Sequence, residues 1–436
     1  MRIQVRNAPF EYISDDSREC DSHGAFLLSK SSKRYEESAR QNGCIHFITS
    51  KDLARFLQLD VQIVGITGTN GKTTTSAAIY SMLLDLGYQV ALLGTRGFFI
   101  NEELIAPKGL TTPPLLEVYE HVDRASRAGC QFFIMEVSSH AIDQERIEGL
   151  KFALKILTNI TSDHLDYHKS IENYIAVKNS FFSDESPKLI NKDELRARFN
   201  PKNALTYGIE HPSSYQVKAY SLNGGIDAQI SFIQEQASLS SGLFGRHNLY
   251  NLLAAVAAVH RLVGGDLQRI CEVAEHFGGV EGRMERVSED PLIVVDFAHT
   301  EDGMKQIFES FPHRELVVVF GAGGDRDKSK RPRMGAMAER YTKRIYLTSD
   351  NPRSEDPMRI IEEIEAGITQ KGRCIKESNR PRAIFRAISE LKANEVLLVL
   401  GKGDESEQIM GGEKVPMKDR DTILEVLREL HANRKK

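Results

Sequence analysis

Strand-like and helix-like segments alternate along most of this 436-residue chain. Before residue 285, continuous apolar runs predict strands at 61–67, 89–95, 132–138 and 154–160. After that residue the pattern resumes, with further apolar runs at 291–297, 315–321, 344–350 and 395–401. Such runs, separated by helical sequence, are typical of parallel strands that helices cover on both faces. We therefore expect an α/β fold with two separate, mainly parallel sheets.

The remaining segments are smaller. Residues 1–58 form a short mixed segment, in which "GAFLLS" and "CIHFIT" predict strands and "RYEESARQNG" predicts a helix. Polar and apolar residues alternate near 214–240, which predicts a small antiparallel patch. We expect three domains, at 1–58, 59–285 and 286–436: a small α/β domain, a central domain with a phosphate-binding loop and a parallel sheet, and a Rossmann-like α/β domain.

Composition excludes several classes of protein. The net charge is −4, which gives no reason to expect a nucleic-acid partner or an anionic membrane. No apolar run approaches the roughly 20 residues of a membrane span, and the start "MRIQVRNAPFEY" does not resemble a signal peptide. The five cysteines lie far apart in the sequence and form no CxxC pair. They are typical of reduced thiols, so we expect a cytoplasmic protein.

A glycine-rich turn follows the first strand of the central region, in "VGITGTNGKTTT". Gly68 and Gly71 let the backbone turn tightly and present its N–H groups to phosphate. The helix that we expect to begin near Lys72 adds its positive end. Lys72 can reach a phosphate and the Thr73 hydroxyl can bind Mg²⁺. The loop therefore predicts nucleotide binding, although only two residues separate its glycines.

Two further strand ends carry polar side chains that suit Mg²⁺-nucleotide chemistry. Glu136 lies at the end of "FFIMEVSSH", and His164 follows "ILTNITSDH". Because catalytic groups in open α/β sheets collect at the carboxyl ends of strands, we expect both beside the phosphate loop. Lys178 lies in the helical stretch "ENYIAVKNSFF". From spacing alone it is interpreted as a solvated helix lysine.

Taken together, the motifs resemble the Mur ligase family, whose order they follow. The resemblance is strong over residues 59–436 and weaker over 1–58. It rests on "TGTNGKTTT", "LTTPP", "MEVSSHAIDQER", "TNITSDHLDYHKSIENYIAVK", "LFGRHNLYN", "EGRMERV", "VVDFAHT", "GAGGDRDKSKRPRMG", "SDNPRSEDP" and "GKGDESEQ". The shortened phosphate loop is the version that this family uses.

The resemblance implies an ATP-dependent ligase of peptidoglycan synthesis, in which the three domains bind the uridine nucleotide, ATP and the incoming amino acid. ATP would phosphorylate the D-glutamate carboxylate of UDP-N-acetylmuramoyl-L-alanyl-D-glutamate. The amine of the amino acid would attack that acyl phosphate, with Mg²⁺ neutralising charge. We expect the third domain to rotate on a linker near 286–290 during this reaction.

Site residues follow from the resemblance, position by position. For ATP they are Gly68, Thr69, Asn70, Gly71, Lys72, Thr73, Thr74, Asn248, Asn251, Arg283 and Asp296. For Mg²⁺ they are Thr73, Glu136, His164 and Lys178, the last as a carbamylated lysine. Catalysis is assigned to Lys72, Glu136, His164 and Lys178. For the UDP-linked substrate they are Ser17, Arg18, Thr111, Thr112, Ser138, Gln144 and Arg146, and for the amino acid Arg326, Asp350, Asn351, Arg353, Gly401 and Glu405.

The segment "SDNPRSE" bears on which amino acid is added. Pro352 stiffens the turn, so Arg353 should project in a defined direction. Meso-diaminopimelate differs from lysine by one extra carboxylate, which an arginine fork can hold through two parallel bonds. In the family, "DNPR" goes with diaminopimelate. We therefore expect meso-diaminopimelate as substrate, with Asp350 orienting its ammonium group. One departure is Asp404, where many relatives carry histidine.

Alternative interpretations are a lysine-adding member of the family, a folylpolyglutamate synthetase-like ligase and, from a different class, a nucleotide-binding protein without catalysis. "EVSSH" together with "DNPR" argues against the folate enzyme, and the full second α/β region argues against a simple switch. We expect a bacterial, cytoplasmic monomer whose partners are its small-molecule substrates.

Overall fold

The computed structural model describes residues 1–434, whose first 57 residues form a small mixed sheet with one α-helix. Its strands run in the order β1-β2-β3-β4, with β1 antiparallel and the others parallel. Their bounds are Arg2–Gln4, Tyr12–Ser14, Gly24–Leu28 and His46–Thr49, and helix α1 spans Glu36–Gln41. The strands predicted from "GAFLLS" and "CIHFIT" and the helix predicted from "RYEESARQNG" are confirmed.

An 11-stranded sheet forms the centre of the molecule. Its strands are β5 Gln62–Thr67, β6 Val90–Gly94, β7 Gly97–Ile100, β8 Glu103–Ala106, β9 Phe132–Glu136, β10 Phe152–Leu157, β11 Lys188–Asn191, β12 Ala204–Gly208, β13 Tyr215–Ser221, β14 Ile226–Phe232 and β15 Glu235–Ser241. Its helices are α2 Lys72–Asp85, α3 Leu115–Arg127, α4 Ser139–Asp143, α5 Leu165–His168, α6 Ile171–Ser180, α7 Arg246–Val263 and α8 Leu267–Glu275. The order across the sheet is β15-β14-β13-β12-β11-β10-β5-β9-β6-β7-β8.

Burial on both faces explains the apolar runs of the central strands. In β5, Val64 and Ile66 pack into the core shared with α2 and α7, whereas Ile63 packs into the core on the opposite face. β10 and β9 flank β5 and run parallel to it. The antiparallel strands predicted near 214–240 are β13, β14 and β15. The carboxyl ends of β9, β5 and β10 therefore lie side by side.

A 6-stranded sheet follows, in the order β16-β17-β21-β18-β19-β20. Its strands are β16 Glu285–Glu289, β17 Leu292–Asp296, β18 Glu315–Phe320, β19 Arg344–Leu347, β20 Cys374–Lys376 and β21 Glu395–Leu400, and a hairpin of β22 Glu407–Met410 and β23 Glu413–Pro416 comes after it. Its helices are α9 Glu301–Glu309, α10 Lys330–Tyr341, α11 Pro357–Glu365, α12 Arg380–Ser389 and α13 Asp419–Arg434. All its strands except β16 are parallel, as the sequence predicted.

The structure corrects the prediction of a linker near 286–290. Residues 285–289 form β16, which pairs antiparallel with β17 and so belongs to the third sheet. The segment just before it has the irregular backbone of a connection, with positive φ at Gly279, Gly282 and Met284. The connection between the second and third sheets therefore lies before residue 285.

The three sheets pack against one another through side chains. Leu116 and Tyr119 of α3 join the core of the first sheet. Phe244, just before α7, meets Phe311 of the third sheet's layer with ring centroids 5.7 Å apart. Within residues 1–434, none of the helices is long and apolar enough to cross a bilayer.

Candidate active site

A cleft of roughly 880 Å³ lies between the carboxyl ends of the second and third sheets. The turn after β5, the end of β9 and the loop after β10 form one wall. The turns after β17, β18, β19 and β21 form the other. Most of the predicted site residues line it: Thr69, Asn70, Gly71, Lys72, Thr73, Thr74, Thr111, Glu136, His164, Asn248, Asn251, Arg283, Asp296, Arg326, Asp350, Asn351, Arg353, Gly401 and Glu405.

The phosphate loop is held by hydrogen bonds to the segment that follows β10. The N–H groups of Thr69 and Asn70 donate to the backbone and side-chain oxygens of Asn159, the residue that follows the end of β10 by two positions. Gly71 has a φ of 86° and begins α2. A Cβ there would lie 2.3 Å from Asn251 Oδ1, so only glycine fits. The loop is thus held rigidly against β10 and α7.

Two lysines converge below this loop. Lys72 Nζ donates to the carbonyl oxygens of Gly68 at 2.8 Å and Thr69 at 3.0 Å. Lys178 Nζ, from α6, donates to the same Gly68 oxygen at 2.9 Å. Lys178 is only 1% exposed, so the interpretation of a solvated helix lysine is wrong. Burial, and then the charge of Lys72, lowers the Lys178 pKa well below its ordinary value.

Three donors hold the Glu136 carboxylate at the end of β9. The Thr73 hydroxyl donates to Glu136 Oε2 at 3.0 Å. Thr95 donates twice, through its N–H to Oε1 at 2.9 Å and its hydroxyl to Oε2 at 3.2 Å. The buried carboxylate therefore has a fixed orientation toward the start of α2.

The loop after β10 carries Asp163 and His164, and His140 lies beside it. The His164 side chain remains 43% accessible, but desolvation by the protein around it lowers its pKa to about 4. Its ring centroid is 4.9 Å from that of His140. Burial would raise the pKa of the neighbouring Asp163 carboxyl, but nearby cations, with His299 of the third sheet foremost, outweigh it and lower that pKa. The two walls of the cleft are thus electrostatically linked.

Three of the residues predicted to bind ATP, Asn248, Asn251 and Asp296, lie where α7 and β17 approach the phosphate loop. Asn251 Nδ2 donates to Asn248 Oδ1 at 3.1 Å, and both side chains are buried. Asp296 accepts the N–H of Met284 at 2.7 Å. Burial raises the Asp296 pKa, against the opposing charge of Arg283. Residues of the second and third sheets' layers therefore line the same part of the cleft.

The residues predicted for the UDP-linked substrate separate into two groups. One is a connected network beside the cleft, in which Arg146 donates to Gln144 Oε1 and to the Thr112 carbonyl oxygen, and Thr112 Oγ1 accepts the N–H of Ser138. The other is a pair in the first sheet's layer, where Ser17 is buried and Arg18 is exposed and paired with Asp16. This pair does not line the cleft.

The residues predicted for the amino acid meet at the edge of the third sheet. Arg353 has a φ of 54°, which is unusual for a residue with a side chain. Its N–H donates to Ile409 O at 3.0 Å, and its Nη1 donates to Gly324 O at 2.6 Å. Asn351 Nδ2 donates to Glu405 Oε2 at 2.8 Å. Hairpin β22–β23 thus holds the Arg353 backbone, and the carbonyl oxygen of Gly324 holds its side chain.

Sequence reasoning did not assign several residues that the structure places in this site. Lys402 is fully buried and donates to Asn351 Oδ1 at 3.2 Å and to Glu405 Oε2 at 2.8 Å. Thr95 holds Glu136, and Lys330 and His299 line the third sheet's wall. Thr95 follows the end of β6, so the rule that located Glu136 could have found it.

Comparison with known protein families identifies the chain. The family model of the Mur ligase middle domain matches residues 66–259, and the model of the Mur ligase glutamate ligase domain matches residues 282–403. The chain belongs to the Mur ligase family. It is a ligase that forms amide bonds at the expense of ATP, as its sequence motifs implied.

Individual Mur ligases resemble this one over its whole length. A UDP-N-acetylmuramoyl-L-alanyl-D-glutamate–2,6-diaminopimelate ligase of Wolinella succinogenes is 72% identical, with 100% of each chain covered. A ligase of the same name from Helicobacter pylori is 48% identical over 97% of this chain and 96% of its own. A solved structure of a protein with that name is 28% identical and has a TM-score of 0.69, covering 99% and 98% of the two chains. The predicted fold class is confirmed.

Proposed function

We propose that this Mur ligase adds meso-2,6-diaminopimelate to the D-glutamate of UDP-N-acetylmuramoyl-L-alanyl-D-glutamate, in the synthesis of peptidoglycan precursors. The observation that carries the proposal is the full-length 72% identity to a ligase named for this reaction. The cleft supports it, because Asp350, Arg353 and Glu405 bring both signs of charge to one wall. An amino acid with two ammonium and two carboxylate groups suits such a wall.

The first chemical step is phosphorylation of the D-glutamate side-chain carboxylate. A carboxylate is a poor acyl donor, and transfer of the γ-phosphoryl group of ATP turns one of its oxygens into a phosphate leaving group. Lys72 and the N–H groups at the start of α2 would orient the phosphates. Arg283 and Asp296 would hold the nucleotide from the opposite wall. Closure of the two walls would exclude water, which hydrolyses acyl phosphates.

The residues around Thr73 fit Mg²⁺. Mg²⁺ usually binds one or two protein carboxylates together with substrate phosphates, rather than an all-protein cage. Thr73 and Glu136 offer two oxygens at 3.0 Å from each other, and within residues 1–434 no cluster of three or more His, Cys, Asp or Glu side chains forms such a cage. His164 would add a nitrogen ligand. When bound, the ion would neutralise charge on the transferring phosphoryl group.

Lys178 would take part as its carbamate. A neutral amine adds CO₂ with release of one proton, and burial favours the neutral amine of Lys178. The modification replaces a cation that repels Lys72 with an anion that attracts it. It would also place a carboxylate under the phosphate loop.

In the second step, the neutral amine of the amino acid attacks the acyl phosphate. The nitrogen of the tetrahedral intermediate loses a proton, and the intermediate collapses to the amide and inorganic phosphate. Arg353 and Arg326 would hold carboxylates of diaminopimelate, and Asp350 and Glu405 its distal ammonium group. Lys402 shares one Glu405 oxygen with Asn351, which leaves the other Glu405 oxygen to the substrate.

The remaining assignments complete the proposal. The separate sheets support a division into three domains, with the boundary between the second and third before Glu285 rather than after it. The first domain would hold the uridine nucleotide through Ser17 and Arg18. The enzyme would act as a monomer in the bacterial cytoplasm, because one chain supplies both walls of the cleft and its substrates are soluble precursors.

The test is phosphate release with UDP-N-acetylmuramoyl-L-alanyl-D-glutamate, ATP and single amino acids. We expect release with meso-diaminopimelate and a product whose mass is that of the UDP-linked tripeptide. Equal or better use of lysine would contradict the assignment of the amino acid. No release with any amino acid would contradict the assignment of the acyl substrate.

A further inference from the structure

An ion pair joins the outer parts of the second and third sheets' layers beside the cleft. Lys108 Nζ lies 3.0 Å from Asp404 Oδ2, although 296 residues separate them in the chain. Lys108 lies between β8 and α3, and Asp404 follows β21. The side chains are 40% and 18% exposed, so solvent reaches both partners.

On the central side, the pair is anchored near the predicted acyl-substrate residues. Lys108 lies three residues before Thr111, whose hydroxyl is 3.3 Å from the hydroxyl of Thr95. Thr95 in turn donates to Glu136. We call residues 107–112 the acyl loop. Lys108 therefore lies on the same short loop as Thr111 and Thr112.

On the opposite side, Asp404 lies within the loop that shapes the amino-acid pocket. We call residues 401–405 the amine loop. Lys402 of this loop is buried against Asn351 and Glu405, the residue next to Asp404. The amine loop cannot move at Asp404 without disturbing that pocket.

The amine loop also rests on the connection between the sheets. Gly282 has a φ of 68°, and a Cβ there would lie 2.0 Å from the backbone nitrogen of Asp404 and 2.4 Å from the carbonyl carbon of Gly403. The connection and the amine loop are therefore in direct backbone contact. The acyl loop, the amine loop and the connection between the sheets meet around Asp404.

We propose that Lys108 and Asp404 are positioning residues which, by pairing across the cleft, couple occupation of the acyl loop to closure of the amine loop. The proposal rests on the proposed function for the identity of the two substrates. Neither residue touches a reacting atom. The pair favours the closed arrangement, in which the acyl loop and the amine loop are in contact. A ligand that binds better to this arrangement gains apparent affinity in proportion to the fraction of enzyme that is closed.

The solvent exposure of Lys108 and Asp404 sets the expected size of the change in KM. Solvent-accessible ion pairs are weak and are screened by salt. Breaking this pair should therefore raise the KM of both the UDP-linked substrate and the amino acid by about two- to fivefold at low salt. The kcat should change by less than about twofold, because saturating substrates restore the closed population.

The experiment uses charge exchange on the full chain. The variants are Lys108→Asp, Asp404→Lys and the double exchange. The control is the exchange of Lys202→Glu with Glu185→Lys, an exposed pair at 2.7 Å inside the central layer. We expect each single variant to raise both KM values and the double exchange to restore them. The difference should shrink in about 0.5 M salt, and the control should match wild type.

Hydrogen exchange of the ligand-free enzyme provides a second measurement that does not depend on the substrates. Amide hydrogens of the acyl loop and the amine loop should exchange faster in both single variants. In the double variant they should exchange at the wild-type rate. Unchanged exchange in both loops overturns the proposal, as does an increase in only one KM or a double variant that is no better than the singles. An enzyme without ligase activity would contradict the proposed function but not the role of the Lys108–Asp404 pair. The hydrogen-exchange rates would still test that role.

Discussion

Lys72 and Lys178 donate hydrogen bonds to one and the same oxygen, the carbonyl of Gly68, at 2.8 and 2.9 Å. Two ammonium groups that share an acceptor repel each other, and burial removes the water that would screen them. The arrangement favours loss of charge from Lys178, the more buried of the two.

The first prediction is that Lys178 carries a carbamate and that Lys178→Ala lowers kcat by about 100-fold or more, since a charged group near the transferring phosphoryl is lost. Enzyme equilibrated with ¹³CO₂ should show a carbamate carbon resonance that the variant lacks. Short carboxylic acids should partly restore activity to the variant.

The matched control for that prediction is Lys151→Ala, which removes an exposed lysine just before β10. It should keep both the resonance and the activity. A Lys178→Ala enzyme with near-wild-type turnover would refute the role of the carbamate.

The second prediction concerns the choice of amino acid. Arg353→Ala should reduce the preference for meso-diaminopimelate over lysine, in kcat/KM, by about 10- to 100-fold, because a charge-assisted contact to the distal carboxylate is lost. Arg353→Lys should recover only part of the preference, since lysine lacks the planar fork. Steady-state rates with both amino acids measure this.

Arg359→Ala is the control for Arg353, because it removes another arginine of the same region whose side chain is 72% exposed. Its preference should equal that of wild type. If Arg353→Ala retained the full preference, diaminopimelate would have to be recognised elsewhere.

The third prediction concerns the threonine that orients Glu136. Thr95→Val keeps the shape of the side chain and the backbone N–H bond but removes the hydroxyl that donates to Glu136 Oε2. We expect the Mg²⁺ concentration for half-maximal activity to rise by about tenfold, as for other outer partners of metal ligands. Thermal unfolding should change little.

Thr206→Val serves as the control for this change, because Thr206 lies on β12, far from the cleft lining. An unaltered Mg²⁺ requirement in Thr95→Val would show that Glu136 does not depend on the hydroxyl for its orientation.

The fourth prediction concerns movement of the third sheet's layer. The residues proposed to bind the nucleotide lie on both walls of the cleft, so substrates would have to enter while the walls are apart. We expect the radius of gyration from X-ray scattering to fall when an ATP analogue and the UDP-linked substrate are added together. Identical profiles with and without these ligands would count against closure.

Much of this fold could be predicted because its strands are buried on both faces. Val64 and Ile63 face opposite cores, and this produces the continuous apolar run that marked the strand. β16 could not be found in this way. It is an edge strand with charged Glu285, Arg286 and Glu289, and it buries little, so its sequence resembles a linker.

The site was predictable to the extent that its residues follow strands. Glu136 and the phosphate loop were found by that rule, and the structure brings both to the cleft. The same rule could not find Lys178, because its burial depends on the packing of α6 under a loop more than 100 residues away in sequence. Lys402 was missed for a similar reason, since only tertiary contacts show that its charge is shared between Asn351 and Glu405.

The residues assigned to the amino acid all follow strands of one sheet, β18, β19 and β21, whereas the phosphate loop and the network around Thr112 belong to another. This separation has an evolutionary consequence. Substitutions that recruit a different amine can accumulate in the turns of the third sheet while the activation chemistry of the second stays intact. A lineage can thereby alter the composition of its cell wall by changing a few loops, and it need not rebuild the enzyme that joins the parts.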